Sequence, residues 1–91
     1  MSDASRTVRI ANRRGLHARA SAKFVTLASA QPVDLHVAKD GSGEVTGTSI
    51  MGLMMLGAAM GDEITIRASG PGAAEAVDAL CGLVEAKFGE D

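Results

Sequence analysis

Hydrophobic and polar residues alternate along four short stretches of the chain, a pattern typical of strands that bury one face. We predict strands at residues 6–11, 33–37, 44–46 and 62–67, after a polar start at residues 1–5. The alternation places Val8, Ile10, Ile64 and Ile66 on the buried face. The opposite face, towards water, receives the polar side chains Thr7, Arg9, Asp34, His36, Thr65 and Arg67.

Two longer stretches repeat their apolar residues at helical spacing. The first predicts a helix over residues 18–29 that ends before Pro32, because the residue preceding a proline is pushed out of the helical region. Its apolar arc consists of Ala22, Phe24, Val25, Leu27 and Ala28. The second predicts a helix over residues 73–88, whose core stripe consists of Val77, Leu80, Cys81, Val84 and Phe88.

A shorter helix is predicted to follow Thr48 or Ser49, either of which is a natural N-cap, and to close at Gly57. This segment is apolar on all sides and rich in methionine. Either the helix is buried on two sides, or its methionines form part of a partner surface, where flexible thioethers adapt well. Composition alone favours burial.

The order of these elements is strand, helix, strand, strand, helix, strand, helix. Helices on one face of a four-stranded sheet would bury the inward-facing side chains and leave the polar face open to water. We therefore predict an α+β fold, an open-faced two-layer sandwich in which three helices cover one face of a four-stranded antiparallel sheet (βαββαβα). The chain has 91 residues, enough for one modest core, so residues 1–91 are expected to form a single domain.

Charge and composition argue against several classes of function. Nine basic and eleven acidic residues nearly balance, and two Phe without Trp or Tyr offer no stacking platform, so we expect neither nucleic-acid nor anionic-membrane binding. No stretch approaches the roughly 20 apolar residues that span a bilayer, and there is no secretory leader. Cys81 is the only cysteine, and no metal cluster or carboxylate pair is visible. We expect a monomeric cytoplasmic protein that needs no metal or cofactor and is not an enzyme in its own right.

The candidate chemistry lies in residues 12–25, where a loop turns at Gly15 and delivers His17 to the start of the first helix. The first turn of a helix has unpartnered backbone N–H groups and the positive end of the macrodipole, so it attracts anions. Arg19 adds a guanidinium suited to a phosphate oxygen. This cradle fits a phosphoryl-accepting histidine, with an ordinary cap as the alternative for His17. His36 lies mid-strand and is interpreted as an ordinary exposed residue.

Two motifs give the chain a resemblance to a known family. Residues 12–25 resemble the active-site segment of HPr, the histidine-containing phosphocarrier of the bacterial phosphoenolpyruvate-dependent phosphotransferase system. Where that family has Gly-Leu-His-Ala-Arg-Pro, residues 15–20 read Gly-Leu-His-Ala-Arg-Ala, so Ala20 stands in place of the proline. Residues 48–57 resemble the family's regulatory-serine helix, and the element order and length also agree.

The resemblance implies that His17 accepts a phosphoryl group through Nδ1 from phosphorylated enzyme I and passes it to an enzyme IIA protein. Arg19 and the backbone N–H groups of Ala18, Arg19 and Ala20 would steady the phosphate. The alternative is a regulatory module on the same sandwich that binds an anionic metabolite at this helix end without covalent chemistry.

The resemblance also implies regulatory phosphorylation of Ser49 by an HPr kinase/phosphorylase. A surface for enzyme I and IIA proteins near His17 would include Lys23, Met51, Met54 and Met55. Sugar uptake and the nitrogen-related regulatory branch of the system both stay open. The sequence of residues 12–15 and the alanine at position 20 favour the nitrogen-related branch.

Overall fold

The computed structural model describes residues 3–90, which form one four-stranded sheet and three helices. The strands are β1 (Asp3–Arg9), β2 (Leu35–Lys39), β3 (Gly43–Thr46) and β4 (Glu63–Ser69). The helices are α1 (Ala18–Ser29), α2 (Ile50–Met55) and α3 (Ala73–Glu85), and a 3₁₀ turn follows at Lys87–Gly89. The strands lie in the order β1-β4-β2-β3, and every neighbouring pair is antiparallel.

The core lies between the sheet and the helices, so the predicted open-faced α+β sandwich is confirmed. Val8, Ile64 and Ile66 are buried on the inner face of the sheet, as their alternation predicts. Phe24 of α1 and Leu80 of α3 are also fully buried and fill the second layer. Burying these aliphatic and aromatic side chains is the main favourable term in the stability of such a domain.

The outer face of the sheet carries the predicted polar side chains and has no second layer. Thr7 and Thr65 are partners across β1 and β4, and their hydroxyl oxygens lie 2.9 Å apart. Arg67 donates from Nε and Nη2 to the two carboxylate oxygens of Glu44, each at 2.7 Å. The threonine pair joins neighbouring strands, whereas Arg67 of β4 reaches across β2 to Glu44 of β3. Both contacts satisfy polar groups of the open face without burying them.

The strand boundaries differ from the predicted ones by a few residues. β1 begins at Asp3 because Asp3, Ala4 and Ser5 pair with the end of β4, so the polar start at residues 1–5 is partly strand. Residues 1 and 2 lie outside the described residues. β2 begins at Leu35 rather than at residue 33, and β4 continues to Ser69 rather than ending at residue 67. Pairing with a neighbouring strand, which a single stretch of sequence does not reveal, decides these ends.

Helix α1 has the predicted bounds, but its buried face is rotated. The residues that it buries are Ala20, Ser21, Phe24 and Ala28. Ala22, Val25 and Leu27 of the predicted arc are only half-buried. The hydroxyl of Ser21 is satisfied because it donates to the carbonyl oxygen of Leu16 at 3.1 Å.

The prediction that the last helix reaches Phe88 is wrong, since α3 ends at Glu85. Lys87 and Phe88 have φ angles of 60° and 55°, in the left-handed region that L residues avoid. Phe88 remains in the core at 1 % exposure, and Lys23 Nζ donates to its carbonyl oxygen at 2.7 Å. These two anchors hold a turn that brings the chain back towards the N-terminus of α1. Cys81 is buried as predicted, and burial raises the pKa of its thiol.

Composition favours burial of α2 on two sides, and this expectation is wrong. Leu53 is fully buried, but Met51, Met54 and Met55 are 69 %, 42 % and 78 % exposed. The reason is geometric: α2 has six residues and packs against α1 and β3, so one face is covered and the other faces solvent.

Candidate functional site

The loop before α1 is fixed by glycine and by the segment that follows α2. Gly15 has a φ of 63°, and a Cβ atom built on it would lie 2.3 Å from the carbonyl oxygen of Ala58. Only glycine fits this close backbone approach. The N–H of Leu16 donates to the same oxygen at 3.0 Å. The side chain of Asn12 closes the loop, because its Nδ2 donates to the carbonyl oxygen of Gly15 at 2.9 Å.

His17 is the N-cap of α1, as predicted. Its Nδ1 accepts a hydrogen bond from the backbone N–H of Arg19 at 3.3 Å. An accepting nitrogen is unprotonated, so in the neutral ring the proton is on Nε2. Nε2 lies 2.6 Å from Oε2 of Glu90 and donates to it. The structure thus assigns the lone pair to Nδ1, the nitrogen at the helix end.

The end of α1 beside His17 has the properties of an anion site. Within residues 3–90, the backbone N–H groups of Ala18 and Ala20 have no backbone acceptor. A cleft of about 240 Å³ opens here, lined by Arg13, Arg14, Arg19 and Glu90. None of the three guanidinium groups forms an ion pair with a carboxylate of the described residues. Unpaired guanidinium groups and a helix N-terminus together favour a phosphate or carboxylate in the cleft.

Glu90 is the site residue that the sequence did not predict. Its Oε1 accepts from Asn12 Nδ2 at 3.0 Å, while Oε2 accepts from His17. Burial acts to raise the pKa of the Glu90 carboxyl, but these two hydrogen bonds and the charges of His17 and Arg19 outweigh it and hold the pKa below its usual value. Glu90 is 73 residues from His17 along the chain, so no local motif could have linked them.

Asn12 is fully buried and connects the loop to Glu90. Its Oδ1 has no hydrogen-bond partner within the described part of the chain. Both protons of Nδ2 are used, one on Gly15 and one on Glu90. Asn12 therefore fixes the carboxylate of Glu90 relative to the loop that carries His17.

Ser49 is the N-cap of α2, and its Oγ accepts from the N–H of Gly52 at 3.0 Å. It lies at the end of α2 away from Ala58, the residue that touches the His17 loop. At 1.5 Å rise per residue, the six residues of α2 span about 9 Å. The structure therefore separates Ser49 from Ala58 by the length of α2, and within the described residues no hydrogen bond joins the side chains of Ser49 and His17.

The predicted partner residues lie on two elements. Lys23 is on the exposed side of α1, with its ammonium directed to the carbonyl oxygen of Phe88. The other predicted partner residues are the exposed methionines of α2, the helix that precedes Ala58 in the chain. α2 packs against α1, and Ala58, which follows α2, contacts the His17 loop at Gly15 and Leu16.

His36 has none of these surroundings. It lies within β2 on the open face, and its Nδ1 is 4.0 Å from Glu44, beyond hydrogen-bond distance. Two other kinds of site are absent from residues 3–90. No group of three or more His, Cys, Asp or Glu side chains could hold a metal ion, and no helix is long and apolar enough to cross a bilayer.

Comparison with known proteins gives a consistent result. Residues 4–86 match the family model described as PTS HPr component phosphorylation site. The phosphocarrier protein NPr of Shewanella violacea is 41 % identical over 90 residues, which is 99 % of this chain and 98 % of that protein. The phosphocarrier protein HPr of Neisseria meningitidis is 48 % identical over 84 residues, 92 % of this chain and 93 % of that protein.

A solved structure agrees with the sequence comparisons. The crystal structure of HPr-C-His from Thermoanaerobacter tengcongensis superposes with a TM-score of 0.87 at 42 % identity, covering 100 % of this chain and 99 % of that one. A family model over most of the chain, relatives above 40 % identity and a matching fold leave one assignment: this chain belongs to the HPr family, the phosphocarrier proteins of the bacterial phosphotransferase system.

Proposed function

We propose that this chain carries a phosphoryl group on Nδ1 of His17, taken from phosphorylated enzyme I and given to an enzyme IIA protein. The observation that supports this most directly is the state of the imidazole. Nδ1 holds the lone pair, and the N–H of Arg19 is already directed at it. A nucleophilic nitrogen at a helix N-terminus beside three guanidinium groups is suited to receive an anionic phosphoryl group.

Transfer would proceed by attack of the Nδ1 lone pair on phosphorus, in line with the bond to the donor atom. The Nδ1–P bond forms while the donor bond breaks, and its electron pair stays with the donor. The N–H of Arg19 then loses its acceptor on Nδ1 and is free to donate to a phosphoryl oxygen. The guanidinium of Arg19 and the N–H of Ala18 supply further donors. Phosphoryl transfer asks a protein mainly for such positioning and charge stabilisation.

Incubation of the purified chain with phosphoenolpyruvate and enzyme I tests this proposal. We expect a phosphate that is labile to acid and stable to base, mapped by mass spectrometry to the peptide containing His17. The alternative, a module that binds anions without covalent chemistry, predicts saturable binding of inorganic phosphate and no covalent label. The same labelling can be carried out with the enzyme I of the sugar-uptake branch and with that of the nitrogen-related branch. Labelling by only one of the two enzymes would assign the chain to that branch.

The exposed methionines of α2 are proposed as the docking surface for enzyme I. Met51 and Met55 are among the exposed large apolar side chains, and Arg19 lies in the first turn of α1, the helix against which α2 packs. Met51→Glu should weaken enzyme I binding about tenfold or more, because it places a charge in an apolar interface, and leave the melting temperature unchanged.

Ala74→Glu is the matched control, since Ala74 is exposed in the first turn of α3 beside Gly72. Gly72 adjoins Pro32, which follows the C-terminal end of α1, whereas His17 lies at the N-terminal end of that helix. Unchanged affinity in Met51→Glu would exclude that residue from the interface.

Ser49 is proposed as a target of HPr kinase/phosphorylase. A phosphate at a helix start is tolerated by the helix and adds about −1.5 to −2 charge, here next to the exposed methionines. Ser49→Asp should keep its fold and accept phosphate at His17 more slowly, because the charge disturbs docking. Ser42→Asp, in the exposed hairpin between β2 and β3, should accept it at the wild-type rate. Ser49→Ala should lose roughly 0.5–2 kcal/mol of stability with the cap and transfer normally. Equal rates in Ser49→Asp and wild type would leave Ser49 as a cap alone.

A further inference from the structure

The side chain of Glu90 covers the ring nitrogen of His17 that the proposed transfer does not use. Its Oε2 lies 2.6 Å from Nε2, and its Oε1 is fixed by Asn12 at 3.0 Å. The side chains of His17 and Glu90 are only 20 % and 16 % exposed. A proton held between an imidazole and a partly buried carboxylate fixes the orientation of the ring.

The backbone before Glu90 is held in a conformation that directs the residue to this place. Lys87 and Phe88 are the residues with positive φ other than glycine in the described part of the chain. The burial of Phe88 and the hydrogen bond from Lys23 to its carbonyl oxygen hold this unfavourable turn. Backbone strain that the surroundings maintain is common where a side chain has to be placed for function.

The charges around the cleft explain what a carboxylate would do there. The positive charges of Arg13, Arg14 and Arg19 attract the phosphoryl anion to the cleft. Within residues 3–90, Glu90 is the acidic residue that lines this cleft. Because Asn12 and His17 both donate to it, against the opposing effect of burial, its pKa is low and it is charged at neutral pH.

We propose that Glu90 is a positioning residue for phosphoryl transfer, an inference that rests on the proposed function of His17. Its carboxylate holds the imidazole with Nδ1 towards the arginine cleft and compensates the positive charge that the ring acquires. When the Nδ1–P bond forms and the donor bond breaks, the proton on Nε2 stays in place, so the ring becomes cationic. The carboxylate of Glu90 faces that cation at hydrogen-bond distance.

The rate of transfer from phosphoenolpyruvate through enzyme I tests the charge. Glu90→Gln keeps the shape and an acceptor oxygen but removes the charge, and it should accept phosphate about tenfold or more slowly, as for other hydrogen bonds between charged groups. Glu85→Gln is the matched control, because Glu85 bonds Arg6 on another part of the surface. We expect it to react at the wild-type rate. A Glu90→Gln protein as fast as wild type, or an equal fall in both variants, would overturn the inference.

The contact with Nε2 is tested without any partner protein. Potassium phosphoramidate phosphorylates accessible imidazole nitrogens, and ³¹P NMR distinguishes the two phosphohistidine isomers. Wild type should take phosphate on Nδ1 of His17 because Glu90 covers Nε2, whereas Glu90→Ala should also give the Nε2 isomer. An isomer ratio unchanged by Glu90→Ala would contradict the inference.

These outcomes are separable from a failure of the proposed function. If wild type takes no label on His17 from enzyme I, the carrier proposal fails, and the phosphoramidate isomers still report the contact between Glu90 and Nε2. If wild type is labelled on His17 and Glu90→Gln is labelled equally fast, the carrier proposal stands and the inference about Glu90 alone is lost.

Discussion

The chain has two histidines, and each lies beside a glutamate, but the two pairs differ in nearly every other respect. Nε2 of His17 is 2.6 Å from Glu90, whereas Nδ1 of His36 is 4.0 Å from Glu44. His17 caps a helix, while His36 lies within β2. A glutamate nearby is therefore not what distinguishes a candidate phosphoryl acceptor from an ordinary histidine.

What separates the pairs is how each carboxylate is used. Both oxygens of Glu44 accept hydrogen bonds from Arg67 at 2.7 Å, so the Glu44 carboxylate is satisfied without any hydrogen bond from His36. Hydrogen bonds from Arg67 are the main reason that the pKa of Glu44 is lowered. Glu90 instead divides its oxygens between an amide and an imidazole, and the guanidinium groups beside it form no ion pair with it. The arginines at the His17 end thus remain available to an incoming anion.

The largest expected effect concerns the histidines themselves. His17→Ala should abolish labelling from phosphoenolpyruvate and enzyme I, because it removes the only ring nitrogen at the helix end. His36→Ala should be labelled as wild type, since His36 faces neither a helix N-terminus nor an unpaired arginine in residues 3–90. Autoradiography of both variants after a fixed time measures the difference. Label that persists in His17→Ala would place the acceptor elsewhere and remove the basis of the comparison.

The next largest effect is expected on stability, when one glycine near each histidine is replaced by alanine. Gly15→Ala combines a φ of 63° with a Cβ only 2.3 Å from the carbonyl oxygen of Ala58, so we expect a loss of at least about 3 kcal/mol in the free energy of unfolding. Gly41→Ala, in the hairpin after His36, has a φ of 82° but no atom within 4 Å of the new Cβ. It should cost about 1–2 kcal/mol. Urea denaturation measures the free energy of unfolding of both variants. Equal losses would mean that the backbone at Ala58 moves away from the new Cβ atom at no cost in stability.

The arginines of the two regions should show opposite behaviour. Arg19→Ala should slow phosphoryl acceptance about ten- to a hundredfold, as for loss of a hydrogen bond to a charged group, and leave the melting temperature unchanged. Arg67→Ala should lower the melting temperature slightly, because it removes both hydrogen bonds to Glu44, and transfer phosphate normally. Calorimetry and initial rates on the same samples test this. A slow Arg67→Ala protein would show that the open face takes part in transfer.

Much of this arrangement is readable from sequence where the signals are local. The bounds of α1 are predicted correctly because a capping residue and Pro32 mark its two ends within the sequence itself. The alternation of Val8, Ile64 and Ile66 likewise identifies the inner face of the sheet. His17 and Arg19 lie within one helical turn, so the candidate anion site can be predicted from their spacing.

The rest depends on contacts between distant parts of the chain. The sequence misplaces the end of α3 because Phe88 is apolar and in helical register, yet the hydrogen bond from Lys23 and the burial of its ring hold Phe88 in a left-handed turn. That turn brings Glu90 to His17, so a sequence pattern that misplaces the end of α3 cannot reveal the contact of Glu90 with His17. The exposure of Met51 was also unpredictable from composition, because an apolar helix does not reveal how many of its sides have neighbours.

The smallest expected effect concerns the pH dependence of stability that the two glutamates provide. Hydrogen bonds from Arg67 hold the pKa of Glu44 below its usual range, and the pKa of Glu90 is low because hydrogen bonds from Asn12 and His17 outweigh the opposing effect of burial. A carboxyl whose folded-state pKa lies below its unfolded value, about 4.3, stabilises the protein above that value and ceases to do so as pH falls through the folded-state pKa.

Wild type should therefore melt at a higher temperature than Glu44→Gln at pH 6, and the two melting curves should converge when the pH is lowered well below 4.3. The melting curves of wild type and Glu90→Gln should converge in the same way at low pH. At pH 7, Glu90→Gln should also transfer phosphate slowly, whereas Glu44→Gln should transfer it at the wild-type rate. Melting curves between pH 6 and pH 3 measure the first property, and initial rates at pH 7 the second. A gap for Glu44→Gln that persists at pH 3 would mean that the side chain stabilises the sheet through packing rather than charge. Slow transfer in Glu44→Gln would show that the pair at His36 is not the inert counterpart of the pair at His17.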